Sequence, residues 1–339
     1  MIVFGFSGIT GCVSAPVYNG PVSDHFDGKR FVNRLSTEKS LWDMISIAPE
    51  LLLDDSWPDW VESEPQTLPP VSQKNNGISI TFINHSTVLI RVDGVNILTD
   101  PIYSKRASPF TFMGPSRVRI PGIPFEDLPQ IDLILISHNH YDHLDIPTLQ
   151  RLQKINPGKK PPLILSGLGN GKLYSEEEIP NFKDLDWGDS KKFGDVEIIF
   201  SESRHRSGRG MTDQKQTLWG AFVIKTSFGN IYFCGDTGYG PHFKETREKY
   251  GPFKLSLVPI GAYEPRWFMK PVHLNPGEAV QAHLDLQSER SIGIHFGTFK
   301  LAKDKIDQPV QDLEKALKIK KISKEKFQIL SFGETREYF

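Results

Sequence analysis

Cysteine is scarce in this chain: 339 residues contain two, Cys12 and Cys234, with no CxxC pair. That excludes a small secreted scaffold stapled by disulfides. Cys234 closes the apolar run NIYFC and reads as a small core residue. Long apolar runs are missing too: no stretch reaches 18 residues, so no transmembrane helix is expected. Neither sign of charge dominates, with 40 Lys and Arg against 41 Asp and Glu. A nucleic-acid partner is therefore not expected, and no acidic run marks a disordered tail. No short-period repeat or low-complexity segment occurs. What remains is 38% hydrophobic and 24% charged, enough to core one large or two ordinary domains.

Three stretches differ in character. Residues 1–12, MIVFGFSGITGC, end like a bacterial lipobox and are expected to be a lipoprotein signal segment. A basic n-region and a longer apolar core, which signal peptides carry, are absent. The expected location is the bacterial envelope, membrane-associated and lipid-anchored at Cys12; the alternative is cytoplasmic. Residues 13–76 read as an N-terminal arm. Its first part is rich in Gly, Pro, Ser and Asp. An amphipathic helical segment follows from Ser40 to Leu53, with Ser40 as cap and Pro49 as break, and then a Pro-rich linker. The arm holds three of the six tryptophans and reads either as packing on the main domain or as a lipid-facing surface. Residues 77–339 read as a catalytic domain. Strands are expected at 78–83, 87–92, 95–100, 196–202, 218–226, 230–236, 255–261 and 291–296, the second and third joined by the hairpin signal Asp93-Gly94. Helical patterns cover 146–155, 242–250, 275–286 and 310–317. Hairpins first and strand–helix alternation later suit two mixed sheets covered by helices.

The chemistry concentrates in SHNHYDH, 137–143, directly after the buried run IDLILI. Three histidines and an aspartate at a strand end would otherwise need partners or water. As metal ligands their spacing works: His138 and His140 grip one ion, and Asp142 and His143 a second. Such an N/O donor set suits Zn²⁺ best, with Fe or Mn tolerated. Further ligands stand at later strand ends: His205, Asp236 in Gly-Asp-Thr-Gly, and His295. Singly each is a weak signal, because an Asp before Thr-Gly is commonly a turn former. Together they share one placement.

This HxHxDH pattern, with a distal His, a Gly-Asp-Thr aspartate and a late His, resembles the metallo-β-lactamase superfamily. The blocks DPIYSKRASPFTFMGP (100–115), CGDTGYGPHF (234–243), PIGAYEPRWFMKPVHLNPGEAV (259–280) and IHFGTF (294–299) resemble the N-acyl-phosphatidylethanolamine phospholipase D branch and its bacterial relatives. The resemblance runs from about Gly77 to the C-terminus and implies an α/β fold, the metallo-β-lactamase αββα sandwich. It implies two Zn²⁺ ions per chain: His138, His140 and His205 on the first, Asp142, His143 and His295 on the second, and Asp236 bridging. A hydroxide between the ions would attack phosphorus, two cations lowering a water's pKa from about 15.7 towards about 7. Asp142 and His273 are the implied catalytic residues, His273 orienting phosphate or protonating the leaving group. The implied products are phosphatidic acid and an N-acylethanolamine, and the implied partners are a phospholipid, a membrane surface and a second copy of the chain in a homodimer.

Ligand imidazoles need their other nitrogen held, and His85 and Asp100 are candidates for that. Tyr263, Glu264 and Arg266 are expected to line the cleft. His25, His242 and His283 read as structural. The tract Ser203–Arg209 is more basic than the family's and suits an anionic substrate, though not necessarily the same head group. Two other readings stand beside the lipid phosphodiesterase. One is a di-zinc hydrolase of a lactone or a cyclic or small phosphodiester, because this scaffold serves many substrates. The other is a non-catalytic metal-binding protein.

Overall fold

A computed structural model describes residues 14–40, 42–43, 46–47, 57–69, 77–154, 160–210 and 212–339. The lipobox-like segment with Cys12, and much of the segment 40–53, lie outside the described residues. Residues 42–43 and 46–47 are helical. Ser40 caps that start reciprocally: its hydroxyl accepts from the Asp43 amide at 3.1 Å, and the Asp43 carboxylate accepts from the Ser40 amide at 2.7 Å.

Fourteen strands follow from Gly77 onward: β1 (Ile78–Asn84), β2 (Thr87–Val92), β3 (Val95–Thr99), β4 (Leu133–Ile136), β5 (Leu163–Gly167), β6 (Phe182–Leu185), β7 (Ser190–Phe193), β8 (Val196–Ser201), β9 (Ala221–Lys225), β10 (Asn230–Phe233), β11 (Phe253–Pro259), β12 (Arg290–Ile294), β13 (Phe327–Gln328) and β14 (Thr335–Tyr338). Among the described residues six α-helices are interspersed: α1 (Ile146–Leu152), α2 (Asn170–Glu176), α3 (His242–Tyr250), α4 (Arg266–Met269), α5 (Pro276–Asp285) and α6 (Gln308–Lys320). The strands form two seven-stranded sheets, ordered β14-β1-β2-β3-β4-β5-β6 and β13-β12-β11-β10-β9-β8-β7. Both are mixed, as expected.

Side-chain alternation explains the layering. On β3 to β5, Ile97, Leu133, Leu135 and Leu165 point into the core between the sheets. Their neighbours Leu98, Ile134, Ile136 and Ile164 point the other way, onto Leu149 and Leu152 of α1 and Leu173 of α2. A strand buried on both faces has no polar alternation to show, which is why LILI is uniformly apolar. Each fully buried leucine stabilises the fold by roughly 1.5–3 kcal/mol. Helices α5 and α6 pack together, α5 also lying against β11 and α3. The start of α5 is fixed by a capping box: Asn275 accepts from the Glu278 amide, and Glu278 accepts from the Asn275 amide.

The strands not anticipated are the inner strand β5, which lies between β4 and β6, and edge and terminal elements. β6 and β7 carry Lys183, Lys191 and Lys192 and alternate towards solvent, as edge strands do to avoid further pairing. β14, from the closing TREY, pairs antiparallel with β1. The arm is tied down as well: Phe26 and Phe31 are buried in the inter-sheet core.

Candidate metal centre

Strand direction gathers the chemistry at one edge. β3 runs parallel to β4, and β10, β11 and β12 are mutually parallel. β1 is antiparallel to β2, which is antiparallel to β3, so the end of β1 faces the same way as that of β3. β8 and β9, and β9 and β10, repeat this relation. Residues just beyond those strand ends therefore converge: His85 after β1, Asp100 after β3, His138 after β4, His205 after β8, Asp236 after β10 and His295 after β12. His85, Asp100 and His295 adopt positive φ of 45°, 33° and 60°, a backbone state uncommon for residues other than glycine and found at such sites. Gly235, at φ 57°, is needed there: a Cβ would lie 2.5 Å from the Ser137 Cβ.

The donors fall into two abutting groups. His138, His140 and His205 form one; His85, Asp142, His143 and His295 form the other, with the donor atoms of each within 4.8 Å of one another. Asp236 adjoins both, its Oδ2 lying 3.1 Å from His295 Nε2, 3.3 Å from His143 Nε2 and 3.8 Å from His205 Nε2. All seven residues expected as ligands are thus brought together. His273 joins them, its Nδ1 3.8 Å from Asp236 Oδ2.

Outer hydrogen bonds set which nitrogen faces inward. Asp100 accepts from the Ser137 amide at 2.7 Å, the Ser137 hydroxyl at 2.6 Å and His143 Nδ1 at 2.6 Å. With Nδ1 held by Asp100, the Nε2 of His143 faces the carboxylates of Asp142 and Asp236, at 3.2 and 3.3 Å. His205 Nδ1 likewise donates to the Val272 carbonyl at 2.9 Å and turns its Nε2 to His140 Nδ1 at 3.4 Å. His138 Nε2 and His140 Nδ1 are only 2.8 Å apart. Buried lone pairs pointed at one another repel unless a proton or a cation lies between them. His143 Nε2, His295 Nε2, His273 Nδ1 and Asp236 Oδ1 are buried without a hydrogen-bond partner, and donors left open in this way fit metal ions.

Charge follows the same logic. Burial alone would lower the pKa of His143, but Asp236, Asp142 and Asp100 outweigh it and hold the imidazole well above its usual range. His295 is raised to about 9 against its burial, chiefly by Asp236. Burial, then His143, His140 and His205, push His138 well below the ordinary value. The carboxylate-rich side thus favours positive charge, which a bound cation would supply, and the imidazole-rich side disfavours protonation.

The surrounding candidates divide. His85 Nε2 lies 3.0 Å from Asp142 Oδ2 and orients it, while Asp100 fixes His143 as described. Tyr263 and Arg266 are held by partners within the fold. Tyr263 is buried with its hydroxyl donating to Asp312 at 2.6 Å. Arg266 spans the Glu278 carboxylate at 2.8 Å and the His273 carbonyl at 2.9 Å, so it steadies the His273 segment. His25, His242 and His283 lie outside the two groups. Two further residues escaped the sequence reading. Asn139 accepts from the Gly208 amide at 2.7 Å, and Arg209 donates to the carbonyls of Asn139 and Leu144 at 3.1 and 2.9 Å while lying 4.0 Å over the Tyr141 ring. Together they clamp the 138–144 loop, and only the basic character of the tract hinted at it.

Comparison with known proteins agrees with this geometry. The family described as beta-lactamase superfamily domain matches residues 95–296. An N-acyl-phosphatidylethanolamine-hydrolyzing phospholipase D of Caenorhabditis elegans is 40% identical over 67% of this chain and 65% of its own length. The mitochondrial enzyme of that name from Saccharomyces cerevisiae is 32% identical over 73% of this chain and 54% of its own. The chain thus spans less than two thirds of either relative. Among solved structures, the metallo hydrolase Igni18 of Ignicoccus hospitalis superposes with a TM-score of 0.59 at 20% identity, covering 78% of this chain and 99% of its own, which bears on the fold. With the αββα architecture, the converging strand ends and the family match in place, the chain belongs to the metallo-β-lactamase superfamily and is a metal-dependent hydrolase.

Proposed function

We propose that this chain is a two-zinc phosphodiesterase of the phospholipase D type, hydrolysing N-acyl-phosphatidylethanolamine to phosphatidic acid and an N-acylethanolamine. The observation that carries the reading is Asp236, which touches both donor groups and keeps Oδ1 unpartnered. On this reading His138, His140 and His205 hold one ion, Asp142, His143 and His295 the other, and Asp236 both. Two divalent ions bound there would acidify a water and neutralise charge on the phosphoryl oxygens. The remaining work belongs to the chain. Asp100 and His85 fix the rings and carboxylate that face inward, and Arg209 holds the loop bearing them. His273 stands beside Asp236, where burial keeps it neutral, so its Nδ1 is set to orient phosphate rather than to supply a proton. In the overall step the water oxygen bonds to phosphorus, the bond from phosphorus to the ethanolamine oxygen breaks, and that oxygen leaves with a proton.

Support for a lipid substrate comes from the two phospholipase D relatives and from exposed tryptophans, Trp42 at 76% and Trp267 at 51%, of the kind found at membrane interfaces. Peripheral membrane association, an anchor at Cys12 and a homodimer belong to the same reading. No described helix is long and apolar enough to cross a membrane. The test pairs elemental analysis of the purified chain with assays on N-acyl-phosphatidylethanolamine and bis(p-nitrophenyl) phosphate. Two zincs and release of N-acylethanolamine are expected. Cleavage of the small diester alone would retain the chemistry and reject the lipid; no metal and no cleavage would reject both.

A further inference from the structure

The N-terminal arm reaches one of the histidines assigned to the first ion. β8 ends at Ser201, so the buried His205 lies in no strand, and its carbonyl must find a partner outside the sheet. That carbonyl accepts from Asn33 Nδ2 at 2.7 Å, across 172 residues of sequence. The same nitrogen donates to the hydroxyl of buried Thr37 at 3.0 Å. A carbonyl can only accept, so the contact fixes which end of the Asn33 carboxamide faces His205, and Thr37 steadies it there.

His205 is thereby held at three points. The Val272 carbonyl holds its ring through Nδ1 at 2.9 Å. The loop that carries Asp236 holds the residue before it: the Arg204 amide donates to the Thr237 hydroxyl at 3.0 Å, and the Gly238 amide to the Arg204 carbonyl at 2.8 Å. Asn33 holds its carbonyl, and of the three only this grip comes from the arm. The arm continues along the same tract. Arg204 donates to the Ser36 carbonyl at 2.9 Å, the Phe31 amide donates to the Lys215 carbonyl at 2.8 Å, and Glu38 pairs with Lys215. It therefore follows residues 204–215, which bear both His205 and Arg209. Removing the Asn33 donor would leave a peptide oxygen open beside a ligand and free the peptide after His205 to rotate, turning Nε2 away from its neighbours.

We propose that Asn33 is a positioning residue of the metal centre: by holding the His205 carbonyl it sets the direction of His205 Nε2, so that the N-terminal arm is a working part of the metal site. The claim deepens the two-metal reading and rests on it for His205 as a ligand, but not on the lipid substrate, and metal binding is measurable without turnover. Asn33 is assigned no contact with an ion or with substrate.

The experiment compares the full wild-type chain with N33L, N33D, T37V and R34Q. Zinc affinity is measured by chelator competition, the visible absorption of the Co²⁺-loaded chain reports the geometry around the ions, and the melting temperature reports the fold. N33L removes the donor at nearly unchanged volume, N33D replaces it with an acceptor, and T37V removes only the steadying hydroxyl. R34Q breaks the arm's ion pairs with Glu202 and Glu245 and leaves the contact on His205 in place. The expected result is a zinc Kd raised about tenfold for one of the two ions in N33L and N33D, and about two- to threefold in T37V, with an altered Co²⁺ spectrum in N33L and N33D. R34Q should keep the wild-type spectrum and an affinity within twofold, even where its melting temperature falls. Wild-type affinity and spectrum in both N33L and N33D would overturn the proposal. An equal loss in R34Q would also overturn it, because the arm would then be a general brace. If N33L does not fold, N33D decides on the same criteria, and if neither folds, T37V does: an unchanged affinity there overturns the proposal. A wild-type chain that binds two zincs and cleaves no N-acyl-phosphatidylethanolamine would reject the lipid reading and leave the role of Asn33 standing; one that binds no zinc removes both.

Discussion

The ten histidines of this chain fall into two populations that differ in what their nitrogens touch. Seven gather at the strand ends; three, His25, His242 and His283, lie elsewhere. Each of the three is built into the fold by a partner: His25 between Asp24 at 2.6 Å and Asp186 at 2.7 Å, His242 against the Thr237 hydroxyl at 3.1 Å, His283 against Ser291 at 2.8 Å. At the centre the outer nitrogens of His143 and His205 are held in the same way, yet their inner ones point at one another or at misaligned carboxylates. Burial of an imidazole therefore says little about function. A buried nitrogen aimed at other donors says a great deal, because the fold has prepared it for something the polypeptide does not contain.

Breaking the shared member of the two groups should have the largest effect. Asp236→Asn is expected to lower metal content at both positions and to cut activity at least about a thousandfold; unchanged stoichiometry by elemental analysis would remove its bridging role. Next comes the clamp on the loop. Arg209→Lys gives up one of the two carbonyl bonds and the stacked contact on Tyr141, so metal affinity should fall roughly 10- to 100-fold with the fold intact, as measured by chelator competition.

A satisfied histidine should behave oppositely. Burial, Arg34 and Arg204 push His242 down to about 3, so it is neutral in the fold and titrates near 6.5 when unfolded. A depressed folded pKa means its contribution to stability is complete above about pH 6.5 and is lost as pH falls towards 3. His242→Gln should flatten that part of the acid dependence of the urea midpoint while keeping metal content. An unchanged pH profile would show that His242 does not contribute to it. The smallest effect belongs to His283→Gln, expected to cost about 1 kcal/mol or less and to leave metal and activity untouched; loss of metal there would erase the distinction between the two populations.

The same contrast explains what was legible in the sequence. His138, His140, Asp142 and His143 could be read because one short loop carries them after one apolar strand, and His205, Asp236 and His295 because each closes a recognisable β run. Asp100 was visible as a candidate through its strand-end placement, and His85 through the resemblance to the family's histidine near the metals. Tyr263 and Arg266 misled because polar residues on a loop after a strand look cleft-facing, whereas Asp312 and Glu278, supplied by distant helices, draw them inward. The edge strands β6 and β7 were missed because lysines replace the apolar alternation, and the inner strand β5 because its short run LILSG carries no polar alternation to mark it. In each case the missing information was a tertiary partner.

The measurement that bears most directly on the central claim is an anomalous difference map from crystals of the purified chain, collected at the zinc edge. The account predicts two peaks flanking Asp236, one within bonding distance of His138, His140 and His205 and the other of Asp142, His143 and His295. A single peak, or peaks away from Asp236 in fully metal-loaded crystals, would contradict it.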